Sequence, residues 1–297
     1  MKTPRGKLLI IGGAEDKGEG EERPEIKDKN KDFQHYEILG ELLPPDDRRD
    51  HSIEVITTAS SIPLEMGRTY KEAFERAGFH NVHHINIDNK EDARSREFIQ
   101  RIDRAHAVLF SGGDQFRLAT ILGGTEFMEV ICERYFEDRD FIIAGTSAGA
   151  MAMSRLMIYQ GDSNEALLKG DVKISSGFGI IDNCIIDTHF VRRGRFGRLS
   201  QAIVMNPGCI GIGLGEDTAL IIRRGNEAEC RGSGMVTIID GKDIGHTNIA
   251  YAKDDTPVSV ENLRVHILAR GDGFLLKERR FLPCREDLEL EESHQHE

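Results

Sequence analysis

A serine at a sharp turn is the residue of this chain best suited to do chemistry. Residues 145–149 read Gly-Thr-Ser-Ala-Gly, directly after the apolar run 141–144 and directly before the helix-forming residues 150–153. This order predicts a buried strand, a Gly-x-Ser-x-Gly turn and a helix start, which together expose the hydroxyl of Ser147 at the carboxyl end of a strand. The alternative is a tight corner in which Ser147 only caps the helix. We interpret Ser147 as a nucleophile.

A nucleophilic serine needs a general base, and the base needs an acid that orients it. Among the eleven histidines, His189 is favoured because it follows the apolar run 184–187 and therefore lies at a strand end, as Ser147 does. Two acids are candidates for the third member. Glu216 also follows an apolar run, whereas Glu165 lies in the loop after the serine-bearing helix and fits the chain order serine, acid, histidine. The residues alone do not decide which of the two acids is the third member.

Small residues near the turn are suited to an oxyanion hole. The amide of Ala148 lies at the predicted helix start, where a developing negative charge is favoured. Gly112 and Gly113 end another predicted strand, and glycine permits close approach of the backbone to a ligand. We expect the second amide of the hole to come from one of these glycines. The side-chain amide of Gln115 is then a candidate for holding a substrate.

A dense group of arginines follows the histidine. Residues 192–198 contain four arginines. This density is typical either of a solvated helix surface or of a cationic rim that binds carboxylates through bidentate guanidinium groups. Asp187 lies two residues before His189 on the predicted strand, so we expect both to point to the same face. Asp187 is therefore a candidate for binding a positively charged group of the substrate.

The composition is that of a soluble globular protein. The 297 residues are 39% hydrophobic and 30% charged, and the net charge of -12 without a basic stripe argues against a nucleic-acid-binding protein. No stretch approaches the roughly 20 apolar residues that cross a bilayer. The apolar run near the N-terminus is too short for a signal peptide, and the five scattered cysteines lack metal-ligand spacing. We expect a cytoplasmic protein with reduced thiols.

Strand and helix patterns alternate through the first two thirds of the chain. This β-α-β order predicts an α/β fold with a mostly parallel sheet and helices on both faces, and ligands bind such sheets at the carboxyl ends of the strands. The predicted strands are 7–11, 53–57, 82–87, 107–110 and 141–144, and the predicted helices are 63–77, 92–104, 115–122 and 125–136.

The last third has short apolar runs with few helices between them, at 210–214, 218–222, 235–239, 265–268 and 273–276. We expect extra antiparallel strands on the same sheet and one domain over residues 1–297, with a core of about 7–283; a small second domain is the alternative. The charged segment 13–32 predicts a solvated loop or a mobile rim of the site, and the acidic residues 285–297 predict a frayed tail.

Five blocks of the sequence occur in a recognisable order: 12–17 (GGAEDK), 111–115 (SGGDQ), 145–150 (GTSAGA), 187–190 (DTHF) with the arginines that follow, and 215–218 (GEDT). Together they resemble the cyanophycinases, which are serine peptidases related to aspartyl dipeptidase (peptidase E). The resemblance runs from about Lys7 to Pro283. It implies a class I glutamine amidotransferase-like (flavodoxin-like) sheet and a homodimer without a metal or organic cofactor. It also implies hydrolysis of cyanophycin, a poly-aspartate that carries arginine on its β-carboxyls, to β-Asp-Arg dipeptides.

The resemblance also implies residue roles. Ser147 is the implied nucleophile, His189 the base, and Glu216 or Glu165 the third member. Thr188 departs from the family, which has glutamine between the aspartate and the histidine, so one substrate contact would be lost or replaced by water. The rival functions are an α-aspartyl dipeptidase of the peptidase E type, an esterase, and a catalytically silent binding module of the same fold. The implied substrate-binding positions are Gln115, Asp187, Thr188, Arg193, Arg195 and Arg198.

Overall fold

Nine strands form the largest sheet of the molecule. The computed structural model describes residues 2–18, 30, 33–44, 51–161 and 168–284. Five neighbouring strands are parallel, in the spatial order β3 (Val82–Ile85), β2 (Ile53–Ile56), β4 (Ala107–Phe110), β5 (Ile142–Thr146) and β1 (Lys7–Ile11). Beyond β1 the sheet continues with four antiparallel strands, β10 (Thr218–Arg223), β11 (Glu227–Gly232), β14 (Gly273–Leu275) and β15 (Arg280–Leu282).

Helices cover both faces of this sheet, as the β-α-β order predicts. Alternate residues of a strand point to opposite faces. Leu8 of β1 accordingly packs in the same core cluster as Ile131, whereas its neighbour Leu9 packs in another cluster with Tyr70. The described helices are α1 (Glu37–Gly40), α2 (Pro63–Arg76), α3 (Arg96–Arg104), α4 (Gln115–Leu122), α5 (Glu126–Glu137), α6 (Ala148–Ala152) and α7 (Phe196–Met205), with a 3₁₀ turn at Asp92–Arg94.

Local sequence sets where the helices begin. Pro63 opens α2, since its fixed φ and missing amide hydrogen suit the first helical position. Asp114 caps α4, and its Oδ1 accepts hydrogen bonds from the amides of Phe116 and Arg117 at 2.8 and 3.0 Å. Because Asp114 follows the predicted oxyanion-hole glycines directly, its cap fixes the loop that carries them.

The later strands divide between two sheets. Antiparallel strands in the last third are confirmed, but the expectation that all of them join the main sheet is wrong. The strands predicted at 210–214, 235–239 and 265–268 lie in a four-stranded sheet ordered β13 (Arg264–Leu268), β12 (Val236–Asp240), β9 (Ile210–Leu214) and β8 (Cys184–Asp187), in which only β8 and β9 are parallel. Strands β6 (Leu156–Gln160) and β7 (Lys173–Ser176) form a separate antiparallel pair.

The second sheet packs into the core of the first. Ile212, Val236 and Leu268 belong to the same cluster of buried side chains as Leu8 and Ile10 of β1. All five residues of β9 and of β12 are buried, so these strands require cover on both faces and could not form an exposed extension of the main sheet.

Two predicted segments lie wholly or partly outside the described ranges. The predicted tail 285–297 lies there entirely, and the charged segment 13–32 lies there in part. Within the ranges that are described, no helix combines the length and the apolar character needed to cross a membrane.

Candidate active site

Ser147 lies in the turn between β5 and α6. Its φ of 51° and ψ of -114° are unusual for a residue with a side chain and store backbone strain. A Cβ at Gly145 would lie 2.6 Å from the main chain of Gly149, and a Cβ at Gly149 would lie 2.1 Å from the carbonyl oxygen of Phe110. Only glycine fits at both positions, so the two glycines of the pattern are needed for the strand and the helix to approach this closely. The turn has the form of a nucleophile elbow.

His189 joins the serine to a carboxylate. Its Nε2 lies 3.1 Å from Oγ of Ser147, and its Nδ1 lies 2.9 Å from Oε1 of Glu216. Both distances are within hydrogen-bond reach for proton transfer. The side chains of His189 and Glu216 are only 14% and 12% exposed. With Nδ1–H donating to the carboxylate, the Nε2 lone pair accepts the hydrogen bond of the serine hydroxyl.

The protonation state of His189 suits a general base. Burial lowers the pKa of His189, the hydrogen bond with Glu216 raises it, and the positive charge of Arg193 lowers it again. The net result is a pKa below the usual histidine range. A neutral imidazole at pH 7 follows, and only the neutral form can take a proton from the serine.

Three successive main-chain carbonyls at and just after the end of β1 hold Ser147, His189 and the neighbour of Glu216. The amide of Ser147 donates to the carbonyl of Ile11 at 3.0 Å, and the amide of His189 donates to the carbonyl of Gly12 at 2.9 Å. The amide of Asp217, which follows Glu216, donates to the carbonyl of Gly13 at 2.9 Å. One short segment therefore sets the spacing of three residues that are far apart in the chain.

The residues predicted for the oxyanion hole differ in their distance from the serine. Ala148 follows Ser147 directly, and a Cβ on Gly112 would lie 3.4 Å from Cβ of Ser147. Gly113 instead packs against the preceding loop, because a Cβ there would lie 2.0 Å from the carbonyl oxygen of Ala59. Its φ of 143° also favours glycine. The backbone of Gly112 and the start of α6 thus flank the serine, and stabilisation of an oxyanion by these amides stays a prediction.

Three further candidates have separate environments. Gln115 is half-buried, and its Nε2 donates to the carbonyl of Ile158 at 3.1 Å, which ties the start of α4 to β6. Thr188 is 1% exposed, and its buried hydroxyl has no hydrogen-bond partner among the described parts of the chain. Glu165 lies outside the described residues.

Asp187, Arg195 and Arg198 form a buried ion cluster. Both oxygens of Asp187, which is fully buried, accept hydrogen bonds from Arg198, at 2.6 and 2.5 Å. Arg195 adds a contact to Asp187 at 3.1 Å and donates to the carbonyl of Thr188 at 2.7 Å. The sequence pattern predicts that Asp187 binds a substrate cation and that the arginines form an exposed rim. In this structure the single carboxylate of Asp187 instead pairs with both guanidinium groups in the interior, and contact of these side chains with substrate stays a prediction.

The first two arginines of the group remain at the surface. Arg193 is exposed, and its charge acts on His189 as described above. Arg192 lies near both carboxylate oxygens of Glu216, with Nη1 at 3.2 and 3.4 Å, and its side chain is 74% exposed. The sequence predicted a cationic rim but not this contact with the acid. An ion pair so exposed contributes little stability in water.

The described residues contain no group of three histidine, cysteine, aspartate or glutamate side chains that could hold a metal ion. The five cysteines, Cys132, Cys184, Cys209, Cys230 and Cys284, are all free thiols.

Comparison with known proteins identifies the family of this chain. The model of peptidase family S51 matches residues 27–229. The chain is 35% identical over 287 residues to a cyanophycinase of Trichormus variabilis, covering 96% of this chain and 91% of that protein. It is 34% identical to one of Thermosynechococcus vestitus, covering 92% and 80%, and 33% identical to one of Geminocystis herdmanii, covering 91% and 93%.

A solved structure supports the fold independently. The crystal structure of a peptidase from an acI-B1 Actinobacterium matches 93% of this chain and 98% of that one with a TM-score of 0.63 at 22% identity. The sequence blocks and the family match over residues 27–229 thus lead to one assignment: this chain belongs to peptidase family S51 and is a serine peptidase.

Proposed function

We propose that this chain is an exopeptidase that hydrolyses cyanophycin to β-Asp-Arg dipeptides, with Ser147, His189 and Glu216 as its catalytic triad. The observation that carries the proposal is the hydrogen-bonded series from Ser147 through His189 to Glu216, at 3.1 and 2.9 Å, in a chain about 35% identical to cyanophycinases. The 2.9 Å contact favours Glu216 over Glu165 as the third member. The proposal includes a single-domain protein of the cytoplasm that acts as a homodimer.

The mechanism follows from the positions of the side chains. Nε2 of His189 takes the proton of Ser147 as its oxygen attacks the carbonyl carbon of an aspartyl backbone peptide bond. Main-chain amides of Ala148 and Gly112 stabilise the tetrahedral oxyanion. The imidazolium, stabilised by Glu216, then protonates the leaving amine and leaves an acyl-enzyme. Water, deprotonated by His189, attacks the ester and frees the serine.

Exposed charge near the base supports a substrate with carboxylates. Arg193 is exposed and lies close enough to lower the pKa of His189, so a substrate carboxylate bound by its guanidinium group would lie near the reacting atoms. Because Asp187 is already paired with Arg195 and Arg198, the proposal places the first charged contact with the substrate at Arg193, which binds a carboxylate, and not at Asp187.

Mass spectrometry of the products from purified cyanophycin tests this function. We expect β-Asp-Arg dipeptides from the first time point and no intermediate-length fragments, because an exopeptidase releases units from a chain end. The Ser147→Ala variant is the matched control and should release none while remaining folded.

The alternatives give different products. Cleavage of Asp-Leu without release of β-Asp-Arg would replace the proposal by an α-aspartyl dipeptidase. Fragments of intermediate length would replace exo-cleavage by endo-cleavage. Absence of all turnover, together with no labelling of Ser147 by a fluorophosphonate, would favour the silent binding module.

A further inference from the structure

A buried carboxylate beneath the serine turn has no part in the reaction described above. Glu15 follows the turn at the end of β1, and its side chain is only 1% exposed. Three groups from different parts of the chain donate to it. The hydroxyl of Tyr70 and the ammonium group of Lys17 bind Oε1, the latter at 3.0 Å, and the hydroxyl of Thr146 binds Oε2 at 2.7 Å. Such an arrangement leaves the carboxylate little freedom to move.

Glu15 carries its charge at every working pH. Burial raises its pKa, but the charge of Lys17 and the hydrogen bonds from Tyr70 and Thr146 outweigh burial and lower the pKa to about 2. Burial and the neighbouring carboxylate raise the pKa of Tyr70 well above its usual value, so its hydroxyl remains a donor. Hydrogen bonds to an ionised acceptor are roughly twice as strong as neutral ones.

The Thr146 contact connects this carboxylate to the nucleophile. Thr146 ends β5 and directly precedes Ser147. The positive φ of Ser147 is strained, and such a conformation persists only where the surroundings hold it firmly. The amide of Ser147 is held by the carbonyl of Ile11, four residues before Glu15 in the chain. The segment from Ile11 to Glu15 therefore holds Ser147 through a main-chain hydrogen bond and the preceding Thr146 through a side-chain hydrogen bond.

We propose that Glu15 is a positioning residue, which binds the hydroxyl of Thr146 and thereby holds Ser147 where His189 can take its proton. The proposal rests on Ser147 being the nucleophile of the proposed function. It requires no contact between Glu15 and the substrate, so it predicts an effect on the rate of the chemical step rather than on binding.

Two substitutions of Thr146 distinguish the effect of its hydroxyl group from the effect of its branched shape. Thr146→Val keeps the branched shape and removes the donor, whereas Thr146→Ser keeps the donor. We expect kcat of Thr146→Val to fall by about 10- to 100-fold with KM within about twofold of wild type, because a small displacement of a reacting group has this effect on rate. Thr146→Ser should retain kcat within about threefold.

The control removes a similar hydroxyl elsewhere. Thr125 is 8% exposed, and its Oγ1 donates to the carbonyl of Leu122 at 2.6 Å before α5. Thr125→Val should leave kcat unchanged, even if it lowers the melting temperature. If Thr146→Val fails to fold, Tyr70→Phe removes a different donor to Glu15 and should lower kcat by about threefold or more at unchanged KM.

A second measurement does not depend on cyanophycin. It is the rate at which a fluorophosphonate modifies Ser147, and mass spectrometry of the intact protein records this rate. We expect this rate to fall in Thr146→Val by the same factor as kcat and to recover in Thr146→Ser. If wild type is modified but does not hydrolyse cyanophycin, the proposed function fails, and the modification rates still decide the role of Glu15. A Thr146→Val protein that is modified as fast as wild type would overturn the positioning role, as would an equal loss of kcat in Thr125→Val.

Discussion

Replacing Asp187 by asparagine tests whether the buried ion cluster is structural. Asp187 has no exposed surface, and Arg198 approaches its two oxygens at 2.6 and 2.5 Å. Asp187→Asn keeps the size of the side chain and leaves the guanidinium groups of Arg195 and Arg198 without their counter-charge. Removing one partner of a buried ion pair costs about 3–5 kcal/mol, because an uncompensated charge stays in the interior. At about 2 °C per kcal/mol for a chain of this size, Tm falls by about 6–10 °C.

The free energy of unfolding in urea is the direct measurement. Asp182→Asn is the matched control, because Asp182 is 35% exposed and pairs with the exposed Arg155 at 3.8 Å. Loss of that pair should cost at most about 1 kcal/mol. The double variant Asp187→Asn/Arg198→Gln should lose less than the sum of its single variants by about 1 kcal/mol or more, since neither member of the pair is then left alone.

The same variants decide between a structural and a substrate-binding role. If Asp187→Asn has the unfolding free energy of wild type but a much lower kcat/KM, the reasoning from burial is refuted and Asp187 meets the substrate. If stability falls and the folded fraction keeps its KM, the cluster is structural.

Three further predictions concern charge. Glu216→Gln should lower kcat by about 10³-fold or more, because a neutral amide does not stabilise the imidazolium and its NH2 group favours the wrong tautomer of His189; retention of wild-type kcat would remove Glu216 from the triad. Arg193 lowers the pKa of His189, so Arg193→Ala should move the acidic limb of the pH profile of kcat/KM to higher pH, and a shift to lower pH would contradict this. Glu15 has a folded-state pKa of about 2 against a usual 4.5, so its stabilisation of about 3 kcal/mol is present above pH 4.5 and is lost as the pH falls towards 2. Urea unfolding should therefore find Glu15→Gln less destabilised at pH 3 than at pH 7; an equal loss at both values would argue against a charged Glu15.

Elements bounded by strong local patterns are predictable from this sequence. The bounds of β1, β4 and α4 are those predicted, because apolar runs end at glycine, serine or aspartate there. The helix predicted over 92–104 is divided in the structure, since Ser95 has an extended ψ of 116° and its Oγ accepts from the amide of Phe98 at 3.5 Å. Ser95 is therefore a cap between the 3₁₀ turn and α3.

Elements that depend on distant contacts are less predictable. The sequence pattern does not predict strands β6 and β7. Helix α7 begins inside the arginine group 192–198, and Arg198 is the one arginine of that group that lies within the helix. Arg198 is on the inner face of α7 because it meets the carboxylate at the end of β8. An exposed group of arginines and a half-buried one have the same local sequence pattern. The sequence therefore does not show that Arg193 is exposed whereas Arg198 is buried.

The sequence by itself determined the serine turn, the parallel half of the main sheet and the family. These depend on glycines, apolar runs and the order of short blocks, all of which are local. Only the tertiary structure decided that His189 lies between Ser147 and Glu216, that Asp187 is paired with arginines, and that Glu15 lies beneath the nucleophile. Each of these depends on contacts between residues 11 to 131 positions apart, and such contacts exist only once the strands have assembled into sheets.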